Sequence, residues 1–275
     1  MKPYLGVTDF ASKQQVDAML SVFTEAFPLK NRHLMVGTMM SYKTLNGLPT
    51  KWAAAFPKAE EFSDIYSSNH ELLLNTLHYA DYEDLTHPRD LTRAIMIAGH
   101  RGPFSPTTIQ ALQLDMPWPS AALIQEAISN AQSLIDESTK EENSLRNLKV
   151  ILQIGSVAMD RVDNNPQRVS KKISDYGDTI HCVLFDRSGG LGKKMDSDLL
   201  RAYILETKTN CPNVSVAVAG GLGPDTMELV VPLVKEFPDI SIDAQGKLRR
   251  SGNALDPIEL DLVEMYIRKS GKVFS

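Results

Sequence analysis

Eight short apolar-rich runs, separated by longer stretches of helical period, set the outline of this chain. The runs lie at Tyr4 to Val7, His33 to Met39, Leu73 to Tyr79, Ala111 to Leu114, Val150 to Ile154, His181 to Phe185, Ser215 to Ala219 and Ile240 to Asp243. Each has the length and near-continuous apolar character of a strand buried on both faces. Between most of them apolar residues recur every three or four positions, at Ser12 to Phe27, Ser120 to Asp136, Pro166 to Tyr176, Ser197 to Thr209, Thr226 to Phe237 and Pro257 to Lys269. That is the spacing of a helix with one buried face. Strands that alternate with helices pair in parallel, and eight such units in a chain of this length predict a closed (β/α)8 TIM barrel in preference to an open sheet. The second and third helices leave weak traces. Residues Ser41 to Ser68 carry Gly47-Leu48-Pro49, Trp52, Phe56-Pro57 and scattered lysines, the mark of an enlarged loop after strand two with a short helix inside it. Such a loop either covers a ligand on the face where barrel strands end or decorates the solvent side.

Composition narrows the class. At 275 residues and 43% apolar content the chain can bury a substantial core, and one barrel domain is expected to span residues 1–275. The net charge of −5, with no dense cluster of arginine or lysine, argues against nucleic acid as a partner. The pairs Lys171-Lys172 and Arg249-Arg250 read as solvated faces. Cys182 and Cys211 have no metal-ligand spacing, so no disulfide framework, metal site or cofactor is expected, and the compartment reads as reducing. The N-terminal MKPYLGVTDF lacks the apolar core of a signal peptide and no run approaches membrane-spanning length. A cytoplasmic protein without membrane contact is the expectation; the oligomeric state is not legible.

Chemistry collects where strands are expected to end. In Val216 to Asp225 an apolar run closes on Gly220-Gly221, and Gly223-Pro224-Asp225 then opens the helical segment from Thr226. Glycines between strand and helix let backbone N–H groups approach a ligand, and a helix N-terminus adds partial positive charge, so this is a candidate anion site as well as an ordinary turn. After strand six, Asp186 is followed by Gly189, Gly190 and Gly192 with Lys193 and Lys194. After strand eight come Asp243-Ala244-Gln245-Gly246-Lys247, and after strand four Asp115 with Met116-Pro117-Trp118-Pro119-Ser120. In barrels the last two strand ends commonly share one phosphate, which puts Gly220, Gly221 and Gly246 around a single anion. Gly190, Gly192 and Asp115 join them as candidate substrate-binding residues.

These motifs carry a resemblance. Val183-Leu184-Phe185-Asp186, Gly190-Leu191-Gly192 with Met195-Asp196, Ala219-Gly220-Gly221-Leu222-Gly223-Pro224-Asp225, and Gly246 followed by Gly252 and Asp256-Pro257 come in the order and spacing of phosphoribosylanthranilate isomerase. Leu5-Gly6-Val7-Thr8 and Leu112-Gln113-Leu114 are similar to that family's first and fourth strands. The likeness runs from about Leu112 to the C-terminus, touches residues 1–8 and is absent between. It implies a ribulose-phosphate-binding barrel, a phosphorylated small-molecule substrate, a place in tryptophan biosynthesis and an Amadori rearrangement of an aminoaldose phosphate to an aminoketose phosphate. In that reaction an acid opens the furanose ring and a base removes the C2 proton. Asp186 stands where the family keeps its general acid. The family's base is a first-strand cysteine, and Leu5 stands there; the family's arginine after strand two has no counterpart in Val36 to Lys43; Asp115 replaces its fourth-strand histidine.

Another base must then be sought. Asp9 shares the parity of Leu5 and Val7, so a continued strand would turn it toward the barrel axis, and a capping role before Ser12 competes with that assignment. Asp81 and Asp115 lie near strand ends and His78 inside an apolar strand, each with an ordinary structural reading beside the catalytic one, and Lys43 could form a Schiff base or stay solvated. The sequence therefore leaves an isomerase of a phosphorylated sugar, with Asp186 and Asp9 as candidate catalytic groups, beside a barrel that kept the phosphate pocket and lost the chemistry, or a lyase working through a lysine.

Overall fold

A computed structural model describes residues 1–68, 70–99, 109–138, 145–186 and 196–275. Eight parallel strands close into a barrel in sequence order: β1 (Tyr4–Thr8), β2 (His33–Ser41), β3 (Leu73–Ala80), β4 (Ala111–Asp115), β5 (Lys149–Gly155), β6 (Cys182–Asp186), β7 (Ser215–Val218) and β8 (Ser241–Ala244). The seam is the pairing of β1 with β8, Leu5 opposite Ile242 and Val7 opposite Ala244. The TIM barrel expected from the alternation of runs is the observed fold, and each strand lies where its apolar run lies.

The described α-helices are α1 (Lys13–Ala26), α2 (Tyr42–Leu45), α3 (Ala59–Ile65), α4 (Pro88–Gly99), α5 (Ala121–Ser138), α6 (Ser156–Asp160), α7 (Pro166–Ser174), α8 (Ser197–Asn210), α9 (Val231–Glu236) and α10 (Leu260–Val273). Local chemistry starts several of them. The Ser12 hydroxyl accepts from Gln15 N at α1, the Asp196 carboxylate from Leu199 N at α8, and Asn165 from Arg168 N at α7, where Pro166 takes the first turn. Two elements depart from expectation. Helix α4 escaped notice because its buried face, Leu91, Thr92, Ala94, Ile95, Ala98 and Gly99, is made largely of small or polar residues. The helix expected over Thr226 to Phe237 is instead a 3-10 turn, Met227–Leu229, followed by the six-residue α9. Pro232 has no N–H to donate back along a helix begun at Thr226; a start at Val231 puts it in the first turn, where no donor is needed.

Strand parity divides the core in two. Leu5, Val7, Leu34, Val36, Leu112, Leu114, Val183 and Phe185 pack outward against the helices. Tyr4, Met35, Leu74, Ala111, Ile151, Cys182, Leu184 and Ala217 fill the barrel interior. Gly6 lies on the inner face, where a Cβ would stand 2.5 Å from Asp243 Oδ1, so only glycine fits. The apolar filling gives way to polar side chains toward the strand C-termini, at His78, Gln113, Asp115, Gln153, Asp186 and Asp243.

Candidate active site

The strand C-termini open into a cavity of about 680 Å³. Its floor is the polar layer of the barrel interior. The Gln113 side-chain amide lies with Nε2 2.8 Å from Gln153 Oε1 and 3.3 Å from His78 Nδ1, and Gln153 Nε2 reaches Asp186 Oδ2 at 3.4 Å. A buried amide relay thus joins β3, β4, β5 and β6. The other ring nitrogen of His78, Nε2, stands 3.9 Å from Asp115 Oδ2. The Tyr82 hydroxyl, tucked in from the rim, donates to the same Asp115 oxygen. Burial, and then the Asp115 charge, push the Tyr82 phenol well above its ordinary range. Asp243 is deeper. Burial raises its carboxyl to about 7, with His78 opposing the shift and the Asp186 charge adding to it.

The second wall is glycine-rich. Gly220 and Gly221 take φ of 118° and 65°, values that leave the backbone after β7 free of side chains where it borders the cavity. Gly223 allows the turn after β7 to press on the turn after β8: a Cβ there would stand 2.4 Å from Lys247 Cβ and 3.0 Å from the Lys247 carbonyl oxygen. Gly246 and Lys247 line the same cavity. The two turns expected to share an anion are therefore neighbours on one face, with a lysine between them. Gly190 and Gly192 lie outside the described residues. The helix-dipole contribution expected after Gly223-Pro224-Asp225 is not available, since a 3-10 turn stands where the long helix was expected.

The third wall is the enlarged loop. Tyr42, Lys43, Pro49, Thr50, Trp52 and Phe56 face the cavity, so the segment after β2 sits on the side where the strands end. Trp52 and Phe56 stack with ring centroids 5.3 Å apart, and the Lys43 ammonium pairs with Glu83 at the rim.

Asp115, Asp186, Gly220, Gly221 and Gly246 all line this cavity; Asp9 is not among the lining residues. The parity assigned to Asp9 is corrected by the structure, because Leu5 and Val7 face the outer helices and Tyr4, Gly6 and Thr8 the axis. Asp9 follows the strand with φ 84° and pairs with the buried Arg249 guanidinium at 2.6 Å, while Gln245 Nε2 donates to the same oxygen at 2.9 Å. Arg249 also donates to the Gln245 and Asp256 carbonyls. The cluster braces the turn after β8. Asp81 is likewise spent on its own turn, accepting from Glu83 N, Leu85 N, Thr86 N and the Thr86 hydroxyl. Gln113, Gln153 and Tyr82 were not singled out as site residues from sequence, whereas His78 was weighed there against a core role and Asp243 stood in the turn after strand eight. Their signal is a polar side chain at every second position near the end of an otherwise apolar strand, as in Gln113 with Asp115 and Asp243 with Gln245.

Comparison with known proteins agrees with this architecture. No protein-family model matches the chain. Over 111 residues it is 30% identical to N-(5'-phosphoribosyl)anthranilate isomerase of Pyrococcus abyssi (strain GE5 / Orsay), a match taking in 40% of this chain and 46% of that protein. The chain thus spans under half the length of that curated relative. A crystal structure of phosphoribosyl anthranilate isomerase superposes with a TM-score of 0.55 at 13% identity, covering 97% of this chain and 99% of that one. The chain is a TIM barrel, similar in sequence over part of its length to phosphoribosylanthranilate isomerase. TrpF from Jonesia denitrificans superposes with a TM-score of 0.53 at 13% identity over 99% of this chain and 98% of its own. The catalytic domain of a chitinase from Pyrococcus furiosus reaches 0.51 at 9% identity, covering 100% of this chain and 97% of that one. The first of these isomerase structures holds reduced 1-(o-carboxyphenylamino)-1-deoxyribulose 5-phosphate. No helix among the described residues is long and apolar enough to cross a membrane.

Proposed function

We propose that this isomerase-like barrel binds a phosphorylated aminosugar and isomerises it from aminoaldose to aminoketose by acid/base chemistry, with Asp186 as the acid. One observation carries the reading: Asp186 and the paired glycine turns after β7 and β8 open onto the same cavity, so a phosphate held by the turns leaves the sugar within reach of the carboxyl group. The turns supply backbone N–H groups and Lys247 a cation, the ligands a phosphate dianion needs. The likeness to N-(5'-phosphoribosyl)anthranilate isomerase supplies the reaction class. Asp186 donates a proton to the furanose ring oxygen, the C1–O bond breaks, and the nitrogen lone pair forms an iminium at C1. The stacked Trp52 and Phe56 offer an apolar surface to the group carried on that nitrogen.

The test compares wild type with Asp186→Asn on N-(5'-phosphoribosyl)anthranilate. Turnover is expected to fall by on the order of 10²–10⁴-fold, the usual contribution of a positioned acid. Ligand-induced rise in melting temperature should persist, because the phosphate contacts lie elsewhere. Wild-type turnover in the variant removes Asp186 from the reaction, and absence of any turnover by the unaltered protein rejects the isomerase reading.

A further inference from the structure

An isomerisation of this kind needs a base for the C2 proton, and β1 does not bring one to the cavity. Its inward positions are Tyr4, buried deep in the barrel, Gly6 without a side chain, and the Thr8 hydroxyl. We propose that Asp115, at the end of β4, is that base, and that Tyr82 and His78 are the residues that position it. The inference rests on the isomerase reading above.

The geometry singles out one oxygen. Asp115 Oδ2 receives the Tyr82 hydroxyl and faces His78 Nε2 at 3.9 Å. His78 Nε2 is itself buried without a hydrogen-bond partner among the described residues. The Tyr82 hydroxyl fixes the rotation of the carboxyl group through Oδ2, with the His78 ring beside the same oxygen. The other oxygen, Oδ1, makes no hydrogen bond among the described residues. It lies 3.9 Å from the point where a Cβ on Gly155 would stand, and that same point is 3.6 Å from the Asp186 carbonyl oxygen. Gly155 pairs with Asp186 at the end of β5, the strand between the two carboxylates. Asp115 and Asp186 both line the main cavity, so a sugar carbon chain bound there meets both carboxyl groups.

The other carboxylates are placed differently. Asp243 lies beneath, with Oδ1 against Gly6 and burial raising its carboxyl to about 7. Asp81 closes its own turn, Asp9 pairs with Arg249, and Glu83 pairs with Lys43 at the rim.

The proton balance closes without another reactant. Once Asp186 has protonated the ring oxygen and the iminium has formed, Asp115 Oδ1 takes the C2 proton. The C–H electron pair becomes the C1=C2 bond, and the C=N pair returns to nitrogen. Asp115 then delivers its proton to C1, while the C2 hydroxyl gives its proton to the Asp186 carboxylate and becomes the ketone. Both groups end in their starting states, and one carboxylate carries hydrogen from C2 to C1.

N-(5'-phosphoribosyl)anthranilate deuterated at C2 of the ribose is the probe, with wild type, Asp115→Asn and Asp115→Glu measured in parallel. Wild type is expected to turn the probe over and leave part of the deuterium on C1 of the product in a single turnover. In Asp115→Asn kcat should fall by on the order of 10²–10⁴-fold with little change in KM, and no deuterium should reach C1. The glutamate variant keeps the carboxylate but displaces it, for a loss of about 10²-fold, and serves if the asparagine variant does not fold. Asp115→Asn or Asp115→Glu working within about threefold of wild type overturns this assignment alone. A wild type that leaves the probe untouched overturns the isomerase reading, and this assignment with it.

Discussion

At the scale of single residues the polar layer at the barrel mouth is the unusual investment, because each charge there is held away from water. Asp243 shows the cost. Its folded carboxyl titrates near 7 against 3.8 for a free side chain, so the native state binds this proton more tightly than the unfolded chain does. Its contribution is fully favourable below about pH 4 and is lost as pH rises through 7. Asp243→Asn should therefore gain on wild type in melting temperature between pH 4 and 7.5 and hold a constant advantage above; a difference independent of pH would deny the shift. Asp9 and Arg249 make the opposite arrangement, a buried charge matched by a partner. Arg249→Met leaves Asp9 without its cation and should cost about 3–5 kcal/mol in urea unfolding, as removal of one member of a buried pair does. A cost under about 1 kcal/mol would mean that neither the ion pair nor the guanidinium's two backbone carbonyl contacts holds this turn. Asp186, Asp115 and the glycines after β7 could be found from sequence because each closes an apolar run. Gln113 and Gln153 could not, and His78 read both ways, because a polar residue inside a strand reads the same whether it faces a cavity or a sealed core.

At the scale of elements the chain is read well wherever hydrophobic period is strong and poorly where packing is made by small residues. The strands are legible because continuous apolar runs have few other readings, and α4 is not because alanine, threonine and glycine stand beside Leu91 and Ile95 on its buried face. The turns after β7 and β8 test what an element contact is worth. Gly223→Ala places a methyl 2.4 Å from Lys247 Cβ and should force these turns apart. The expected cost is about 1–3 kcal/mol, with weaker binding of phosphate esters by isothermal titration. Gly47→Ala is the control: it has φ 66° and nothing within 4 Å, so it should cost only about 1–2 kcal/mol of backbone strain and leave ester binding unchanged. Equal effects of the two substitutions on binding would separate the turns from the anion.

At the scale of the whole molecule, function depends on closure, since the two walls of the cavity come from opposite ends of the chain's strand order. The β1–β8 seam is backed by α1 and α10, and Gly271 lets them touch: a Cβ there would stand 2.6 Å from the Ala26 carbonyl oxygen. Gly271→Ala should lower the melting temperature by several degrees, at about 2–4 °C per kcal/mol for a chain near this size. The loss should appear at the seam first, as faster amide exchange in β1 and β8 than in β4 and β5. Uniform exchange would mean that the barrel opens as one unit.

Order of strands, parallel pairing and the positions of Asp186 and the glycine turns were determined by the sequence alone, because local period and local turn chemistry are properties of neighbouring residues. Which face each strand turns inward was decided only by the tertiary structure. The period of a strand is two, so one unread residue at its start exchanges every inward side chain for an outward one. That is why Leu5 and Asp9 belong elsewhere than their spacing suggested, and why Asp115 meets His78 and Tyr82, from a neighbouring strand and the turn after it, across one oxygen.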